Sequence, residues 1–209
     1  MTPFKFEKIQ INQSSLFFCR FQNFNPKDYY NYLSKAEITK IELFKSKTRR
    51  MEYAAARILR HFVFGFKHIE YTEYGAPYID GKGFISISHT YQLVVLAFNP
   101  NYKIAIDLET PRENILEIAP KFLSENEKKM FDVANKLELT KIWSSKETLY
   151  KLAGRKKIHF KSELLLSTDE ENNWIGTIIN PGHQLLVKLH IFDHEGTIVT
   201  LNDEEIIKK

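Results

Sequence analysis

The sequence predicts an α+β fold made of two similar halves, residues 1–101 and 102–209, arranged as an intramolecular pseudo-dimer. The first observation is a repeated order, because each stretch of roughly 100 residues runs from helical to strand-like patterns. The second is the turn sequence Asn99-Pro100-Asn101, which separates the two stretches. The third is the length of 209 residues, which suits one large domain or two small ones that share a core.

The composition is that of a globular protein. Hydrophobic residues make up 43% and charged residues 27% of the chain, so neither disorder nor a disulfide scaffold is needed. Cys19 is alone, the start resembles no signal peptide, and the longest apolar run, 93–98, is too short for a membrane span. We therefore expect a cytoplasmic protein with no membrane partner. The net charge of +4 is compatible with phosphates, an acidic protein or nucleic acid, and it selects none of them.

Two helices and then several strands are predicted in the first half. Residues 34–43 carry charge on one face, whereas 50–66 place apolar side chains three to four apart, and Gly65 marks the expected end. The core-facing residues of this second helix are expected to be Tyr53, Ala54, Ile58, His61, Phe62 and Phe66. Turn signals at 74–77 and 80–83 introduce the strands. The predicted strands are 78–79, 84–89, 92–98 and 102–109.

The second half repeats this order of helices followed by strands. Ser124 and Glu127 form a capping box, so a helix is expected to begin at Glu125. A further helix covers 140–152, and Gly154 suits its left-handed end. The predicted strands are 164–167, 174–179, 185–192 and 197–201.

The strand 102–109 carries two carboxylates. Because side chains alternate along a strand, Asp107 and Glu109 share one face, and they are about 6.6 Å apart along it. Carboxylates at this separation can converge on one small hard cation, and Ala105 leaves room beside them. The alternative is an edge strand with a solvated acidic face.

The helix 140–152 adds a third carboxylate. Trp143, Glu147 and Lys151 are spaced four apart and therefore lie on one side of the helix. A glutamate beside a tryptophan on a partly buried face needs a cation or hydrogen bonds to stay charged, so Glu147 is a candidate metal ligand or general base. The alternative is a surface Glu-Lys pair.

Magnesium suits three carboxylates better than zinc does. Mg²⁺ prefers oxygen ligands and commonly combines a few carboxylates with substrate phosphates, whereas the single Cys and scattered His residues lack zinc-ligand spacing. Ser88-His89, at the end of the strand 84–89, could meet an anion, although such a pair by itself also fits a structural role. No Walker loop, dinucleotide fingerprint or Gly-x-Ser-x-Gly elbow is present.

Four motifs occur in order along the chain: Tyr74-Gly75-Ala76-Pro77, Ile85-Ser86-Ile87-Ser88-His89-Thr90, Ala105-Ile106-Asp107-Leu108-Glu109 and Trp143-Ser144-Ser145-Lys146-Glu147-Thr148-Leu149-Tyr150-Lys151. Together they resemble the motifs of the 4′-phosphopantetheinyl transferase superfamily, over residues 34–155. The length is similar to the pseudo-dimeric, Sfp-like type rather than to the shorter, trimeric holo-ACP-synthase type. That resemblance implies a monomer whose two halves enclose coenzyme A in a cleft.

The resemblance also implies roles for individual residues. Asp107, Glu109 and Glu147 would bind Mg²⁺, and Glu147, Lys151 and Asp107 would be the catalytic residues. Two positions depart from the family, because Ala76 stands where Lys is frequent and Ala105 where Gly is frequent. The residues implied to bind coenzyme A are Lys47, Arg50, Tyr74, Gly75, Pro77, Ser88, His89, Lys146 and Lys151.

The implied reaction transfers 4′-phosphopantetheine from coenzyme A to a serine of an apo acyl or peptidyl carrier protein. It would release adenosine 3′,5′-bisphosphate. By analogy with the family, the carrier would dock near 112–131, where lysines could guide an acidic partner. The basic residues there are Lys121, Lys128 and Lys129, and the apolar ones, which could instead pack inward, are Ile115, Ile118, Phe122 and Met130.

Two other functions stay open at this stage. One is a non-catalytic homologue that binds coenzyme A or a carrier protein without turnover. The other is a different magnesium-dependent phosphoryl-transfer enzyme. A nuclease should have a stronger basic stripe than a net charge of +4 provides, and no nucleic-acid recognition motif is present, so no nucleic-acid partner is expected.

Overall fold

The computed structural model describes residues 2–73, 75–154, 157–202, 204 and 206–208. The chain forms two compact units. Unit 1 comprises Met1–Tyr71 with Pro77–Asn101, and unit 2 comprises Thr72–Ala76 with Tyr102–Lys209. Each unit combines an antiparallel sheet with helices, which confirms the predicted α+β fold class.

Unit 1 contains a six-stranded antiparallel sheet with the order β1-β2-β6-β5-β4-β3. The central pair, β5 and β6, is joined by a tight turn in which Gln92 has a φ of 54°. β6 is buried along nearly its whole length, as expected for a strand covered on both faces. The strands are β1 (Phe4–Ile11), β2 (Ser14–Phe21), β3 (Glu70–Tyr71), β4 (Pro77–Ile79), β5 (Gly83–Thr90) and β6 (Leu93–Asn99).

The β1–β2 hairpin is a finding that the sequence analysis did not anticipate. β1 alternates apolar and polar side chains, and β2 pairs with both β1 and β6. The turn between β1 and β2 uses Asn12 at a φ of 49°, so neither glycine nor proline marks this turn in the sequence. Asparagine tolerates this left-handed conformation better than most residues.

The described part of unit 1 contains two α-helices, α1 (Lys35–Leu43) and α2 (Lys47–Phe64), preceded by a 3₁₀ helix at Pro26–Tyr32. Ser34 and Glu37 form a capping box at the start of α1, and Gly65 caps α2 at a φ of 65°. α2 lies against β2 and β6 and buries Ala54, Ile58 and Leu59. The prediction that Phe62 and Phe66 face the core is wrong, since they are 58% and 69% exposed.

Unit 2 contains a second antiparallel sheet with the order β7-β11-β10-β9-β8, and β12 pairs with β10. β7 is shorter than the predicted strand 102–109, because residues before Ile106 do not join the ladder. Instead, the Ala105 N–H donates to the side chain of Asn202 at 2.8 Å. The strands are β7 (Ile106–Glu109), β8 (Leu164–Thr168), β9 (Trp174–Asn180), β10 (His183–His194), β11 (Thr197–Asn202) and β12 (Ile207–Lys208).

Three helices belong to unit 2, α3 (Ile115–Phe122), α4 (Glu125–Met130) and α5 (Lys136–Ala153). The capping box at Ser124 and Glu127 is confirmed, whereas α3 was not predicted. α5 begins before the predicted residue 140, because Asn135 accepts the N–H groups of the first turn. It ends as predicted at Gly154, whose φ is 63°. None of the described helices has the length and hydropathy of a membrane-crossing segment.

α5 is the central helix of unit 2 and packs directly on its sheet. It packs on β7, β11, β8 and β9, and it buries Leu139, Ile142 and Leu149 among the strands. Gly176 of β9 lies under Leu149, and a Cβ built there would approach the leucine side chain to 2.4 Å. This close approach lets the helix lie directly on the sheet.

Candidate active site

β7 brings two carboxylates to one edge of the unit 2 sheet. Its register places Asp107 opposite Thr200 and Glu109 opposite Ile198 of β11. Asp107 is only 5% exposed and Glu109 is partly buried. The alternative of a solvated acidic face is therefore wrong for Asp107, although β7 does lie at the edge of its sheet.

α5 brings Trp143, Glu147 and Lys151 to face these carboxylates. The Lys151 ammonium donates to Asp107 Oδ1 at 2.8 Å and to the Ile106 carbonyl at 2.7 Å. Trp143 Nε1 donates to Glu109 Oε1 at 2.8 Å. Because Trp143, Glu147 and Lys151 are spaced four residues apart, they lie on one face of α5. Trp143 and Lys151 on this face bind the two acids of β7.

Further contacts hold Glu109 and Trp143 in place. Arg112 donates to Glu109 Oε2 at 2.9 Å. The Trp143 ring packs against Phe122 and stacks on Phe160, with centroids 5.1 and 5.5 Å away. Aromatic packing of this kind restricts the indole, so its N–H keeps one direction. Phe160 was not predicted to lie here, because it reaches the site through a tertiary contact. Arg112 was not predicted to bind Glu109 either, although it follows Glu109 by only three residues and this spacing was an available signal.

The electrostatic environment favours a protonated or cation-bound Glu147. Burial raises the pKa of Glu147 to about 7, and the negative charge of Asp107 adds to this rise, partly offset by Lys151. Burial and Asp107 likewise raise the pKa of Glu109, whereas Arg112 opposes the rise. Glu109 and Glu147 are therefore close enough to Asp107 to be affected by its charge, and ionisation of the two glutamates is costly.

The donor set fits magnesium in its chemistry. Within the ranges that the structure describes, no three His, Cys, Asp or Glu side chains form a ready-made cage for a metal ion. Mg²⁺ does not require such a cage, since it is commonly held by one or two carboxylates together with substrate phosphates and water. A divalent cation would also relieve the repulsion that raises the pKa of Glu147. Asp107, Glu109 and Glu147 are the residues that would hold it.

Lys146 lies apart from this group although it precedes Glu147. Its side chain is completely buried and its ammonium donates to Glu127 and to two backbone carbonyls. Burial lowers the pKa of Lys146, and Glu127 opposes that effect. These contacts favour a structural role over the expected contact with coenzyme A.

The predicted phosphate residues of unit 1 lie at the end of β5. Ser88 is buried, and His89 contacts Arg49 through Nε2. His89 Nδ1 lies 3.4 Å from Glu52 Oε2. Arg49 and Glu52 belong to α2 and were not predicted; the available signal was the position of Arg49 beside Arg50 at the helix start.

Two other basic residues of the prediction line a common cavity. Lys47 and Arg50, with Lys27, Tyr30 and Glu42, border a space of about 700 Å³ in unit 1. Arg50 is fixed there by a 2.6 Å hydrogen bond from Nε to the Phe44 carbonyl. The cavity therefore presents three cations beside one carboxylate.

The turn at 74–77, which the resemblance implies to bind coenzyme A, is described in part. Gly75 has a φ of 85°, a conformation that glycine adopts without strain, and its N–H donates to the Thr72 carbonyl at 2.9 Å. Pro77 begins β4 and pairs with Tyr71. Tyr74 lies outside the described residues. Their roles in binding coenzyme A stay predictions.

The apolar residues expected to meet a carrier protein divide into two groups. Ile115 and Phe122 are buried in the core of unit 2, so the inward-packing alternative is correct for them. Ile118 is partly buried against the same core, whereas Met130 is 50% exposed. Among these four, Met130 offers the largest exposed fraction to a partner.

The acidic cluster, Asp107, Glu109 and Glu147, lies beside Lys151 in an α+β unit. The family model of the 4′-phosphopantetheinyl transferase superfamily matches residues 103–200. This match covers 98 of the 209 residues, and the two α+β units are consistent with the Sfp-like type of the superfamily. No curated protein matches the chain. The matched segment contains all of the acidic cluster and most of unit 2.

Proposed function

We propose that this protein transfers the 4′-phosphopantetheine group of coenzyme A to a serine of an apo carrier protein in a magnesium-dependent reaction. The observation that carries the proposal is the pairing of Asp107 and Glu109 on β7 with Glu147 and Lys151 on α5. The match to the superfamily model supports the same reaction. Without a cation, burial raises the pKa of Glu147 to about 7, so this carboxyl lacks a positive partner sufficient to offset its burial, which Mg²⁺ would supply.

The residues of unit 2 divide the reaction between them. Bound at Asp107, Glu109 and Glu147, Mg²⁺ would supply Lewis-acid stabilisation of charge on the diphosphate. Glu147 accepts the proton of the carrier serine as its hydroxyl oxygen attacks the β-phosphorus of coenzyme A. The bond from that phosphorus to the bridging oxygen breaks, and adenosine 3′,5′-bisphosphate leaves. Lys151 stabilises the departing phosphate by its positive charge.

The carboxylates depend on their neighbours for direction. Trp143 and Arg112 each occupy one oxygen of Glu109, so the carboxylate plane is fixed from two sides. Such preorganised groups need no rearrangement as charge develops, and this lowers the barrier. A single in-line displacement also needs no nucleophilic side chain on the enzyme.

The test is to incubate the protein with coenzyme A, Mg²⁺ and an apo carrier protein and then to measure the mass of the intact carrier. We expect a gain of one phosphopantetheine, which should disappear when EDTA replaces Mg²⁺. A panel of acyl and peptidyl carriers identifies the preferred partner. Absence of any gain across the panel, with binding of coenzyme A retained, would favour a non-catalytic binding protein.

Lys151 provides a prediction within this mechanism. Lys151→Ala removes the cation that contacts Asp107, so we expect turnover to fall on the order of a hundredfold. Binding of the carrier should change much less, because Lys151 is assigned to the diphosphate. Turnover and carrier affinity are measured separately, by initial rates and by calorimetry. Unchanged turnover would refute the role of Lys151.

A further inference from the structure

The most completely buried ion pair of unit 2 lies behind the acidic cluster rather than within it. Lys146 of α5 has no exposed surface and Glu127 of α4 is 1% exposed. Their charged atoms, Lys146 Nζ and Glu127 Oε2, are 2.8 Å apart. Lys146 precedes Glu147 directly but points about 100° around the helix from it, so the pair holds the same helical turn from another side.

Each N–H donor of the Lys146 ammonium is hydrogen-bonded to an acceptor in a segment that packs around α5. Besides Glu127, Nζ donates to the carbonyl of Phe122 at 2.7 Å and to the carbonyl of Phe160 at 2.8 Å. An ammonium group has three N–H donors, so its capacity is filled. The three acceptors come from the end of α3, from α4 and from the segment before β8.

Glu127 extends the network to the sheet. Its Oε2 accepts the Ser124 N–H at 2.7 Å, which completes the capping box of α4. Its Oε1 accepts the Leu166 N–H of β8 at 2.9 Å. Glu127 therefore connects α4, α5 and β8 through one carboxylate. Lys146 and Glu127 together fix the rotation of α5 about its axis at the level of Glu147.

A buried ion pair of this kind is better explained by its orientation of neighbouring segments than by a contribution to folding stability. Removing two charges from water is costly, and replacing a buried pair by uncharged side chains is often neutral or stabilising. Removal of one partner alone is strongly destabilising, because the other charge stays buried. An uncharged pair cannot reproduce the four directional hydrogen bonds that Lys146 and Glu127 make to the backbone of Phe122, Ser124, Phe160 and Leu166.

We infer that Lys146 and Glu127 are positioning residues for the acidic cluster. They set the helix face that carries Glu147 and Lys151 against Asp107 and Glu109, and Lys146 makes no contact with coenzyme A. This inference rests on the proposed transferase function, since the positioned groups are the ones assigned to it. It gives Lys146 a role different from the coenzyme A contact that the family resemblance implies.

The test compares two variants with the unaltered protein. Lys146→Met alone leaves Glu127 charged and buried, so we expect its thermal unfolding midpoint to fall. The double variant Lys146→Met with Glu127→Gln leaves no lone charge and keeps an amide oxygen for the Leu166 N–H. The thermal unfolding midpoint of the double variant should recover. The double variant is therefore the protein whose activity tests the inference. Leu139→Ala, which removes buried apolar volume from the same helix, is the matched control for loss of stability alone.

Three quantities are measured on each protein well below its unfolding midpoint: kcat, KM for coenzyme A, and Mg²⁺ affinity by calorimetry. For the double variant we expect kcat and Mg²⁺ affinity to fall at least about tenfold, as for other groups that orient metal ligands. KM for coenzyme A should stay within about twofold, in keeping with the absence of a phosphate contact. Leu139→Ala should keep all three values.

Three outcomes would overturn the inference. A folded double variant with unaltered kcat and Mg²⁺ affinity would make the pair a stability element only. A raised KM for coenzyme A with preserved kcat would place Lys146 at a phosphate. A double variant that fails to fold would show that the pair sets stability rather than position. If the unaltered protein transfers nothing, the proposed function fails, whereas the Mg²⁺ titrations still test the positioning role.

Discussion

Asp107→Ala is expected to abolish transfer to a carrier protein while the variant stays folded. We expect a loss of at least about a hundredfold in kcat, because the change removes a carboxylate that would stabilise charge at the diphosphate and also the partner of Lys151. The folded state should survive, since the Lys151 side chain is 27% exposed and can be hydrated. Initial rates of carrier modification and a thermal unfolding curve measure the two effects.

Two companion variants separate charge from shape. Asp107→Asn keeps the size of the side chain and should lose nearly as much activity, because an amide oxygen carries no full negative charge. Glu170→Ala removes an exposed acid from a turn of the same unit and should keep full activity. If Asp107→Ala retained near-normal turnover in the purified protein, the assignment of Asp107 to the metal would be removed.

Glu147→Gln should produce a protein that is inactive yet more stable than the unaltered one at neutral pH without metal. Transfer is lost because the amide cannot accept the serine proton. Stability is gained because ionisation of Glu147 opposes folding, which its raised pKa of about 7 expresses. The difference from the ordinary value of 4.5 corresponds to about 3 kcal/mol.

The sign of the pH dependence follows from the direction of this shift. The folded-state pKa lies above the unfolded value, so between about pH 4.5 and 7 the folded protein binds more protons than the unfolded chain. The contribution of Glu147 is therefore fully favourable below this range and is lost as the pH rises through it. In EDTA, the difference in unfolding free energy between Glu147→Gln and the unaltered protein should grow from near zero at pH 4.5 to its maximum above pH 7.

Denaturant titrations in EDTA at several pH values measure this difference directly. Adding Mg²⁺ at pH 8 should stabilise the unaltered protein more than Glu147→Gln, because the cation offsets a charge that only the former carries. A constant difference across the whole pH range would contradict the buried, repelled state of Glu147. Equal stabilisation of both proteins by Mg²⁺ would remove Glu147 from the proposed ligands.

Most secondary structure could be predicted because its signals are local. Capping residues such as Ser124 and helix-ending glycines such as Gly154 lie within one turn of the boundary that they define. The missed hairpin of β1 and β2 shows the limit, because a turn made by Asn12 gives no glycine or proline signal. The exposed Phe62 and Phe66 show another, because apolar spacing alone does not tell which face of a helix meets the core.

For the candidate site, too, the features set by local spacing could be predicted and the tertiary contacts could not. The two-residue spacing of Asp107 and Glu109 and the four-residue spacing of Glu147 and Lys151 fix which side chains share a face, so the motifs could be recognised. The supporting contacts around the site could not be predicted in this way. Lys146 and Glu127, for example, are distant in sequence, and only the folded chain brings them together. Whether these residues bind magnesium and coenzyme A stays a prediction until it is measured.

One threonine shows how the backbone supports this chemistry. Thr200 pairs with Asp107 across the β7–β11 ladder, and its carbonyl accepts the hydroxyl of Thr148 at 3.1 Å, next to Glu147. A single strand residue thus ties the acidic strand to the helix that faces it. Main-chain rearrangement at this point would have to break both links at once. We therefore expect adaptation to different ligands at this point to involve rotamer changes at the carboxylates and Lys151 before any movement of the main chain.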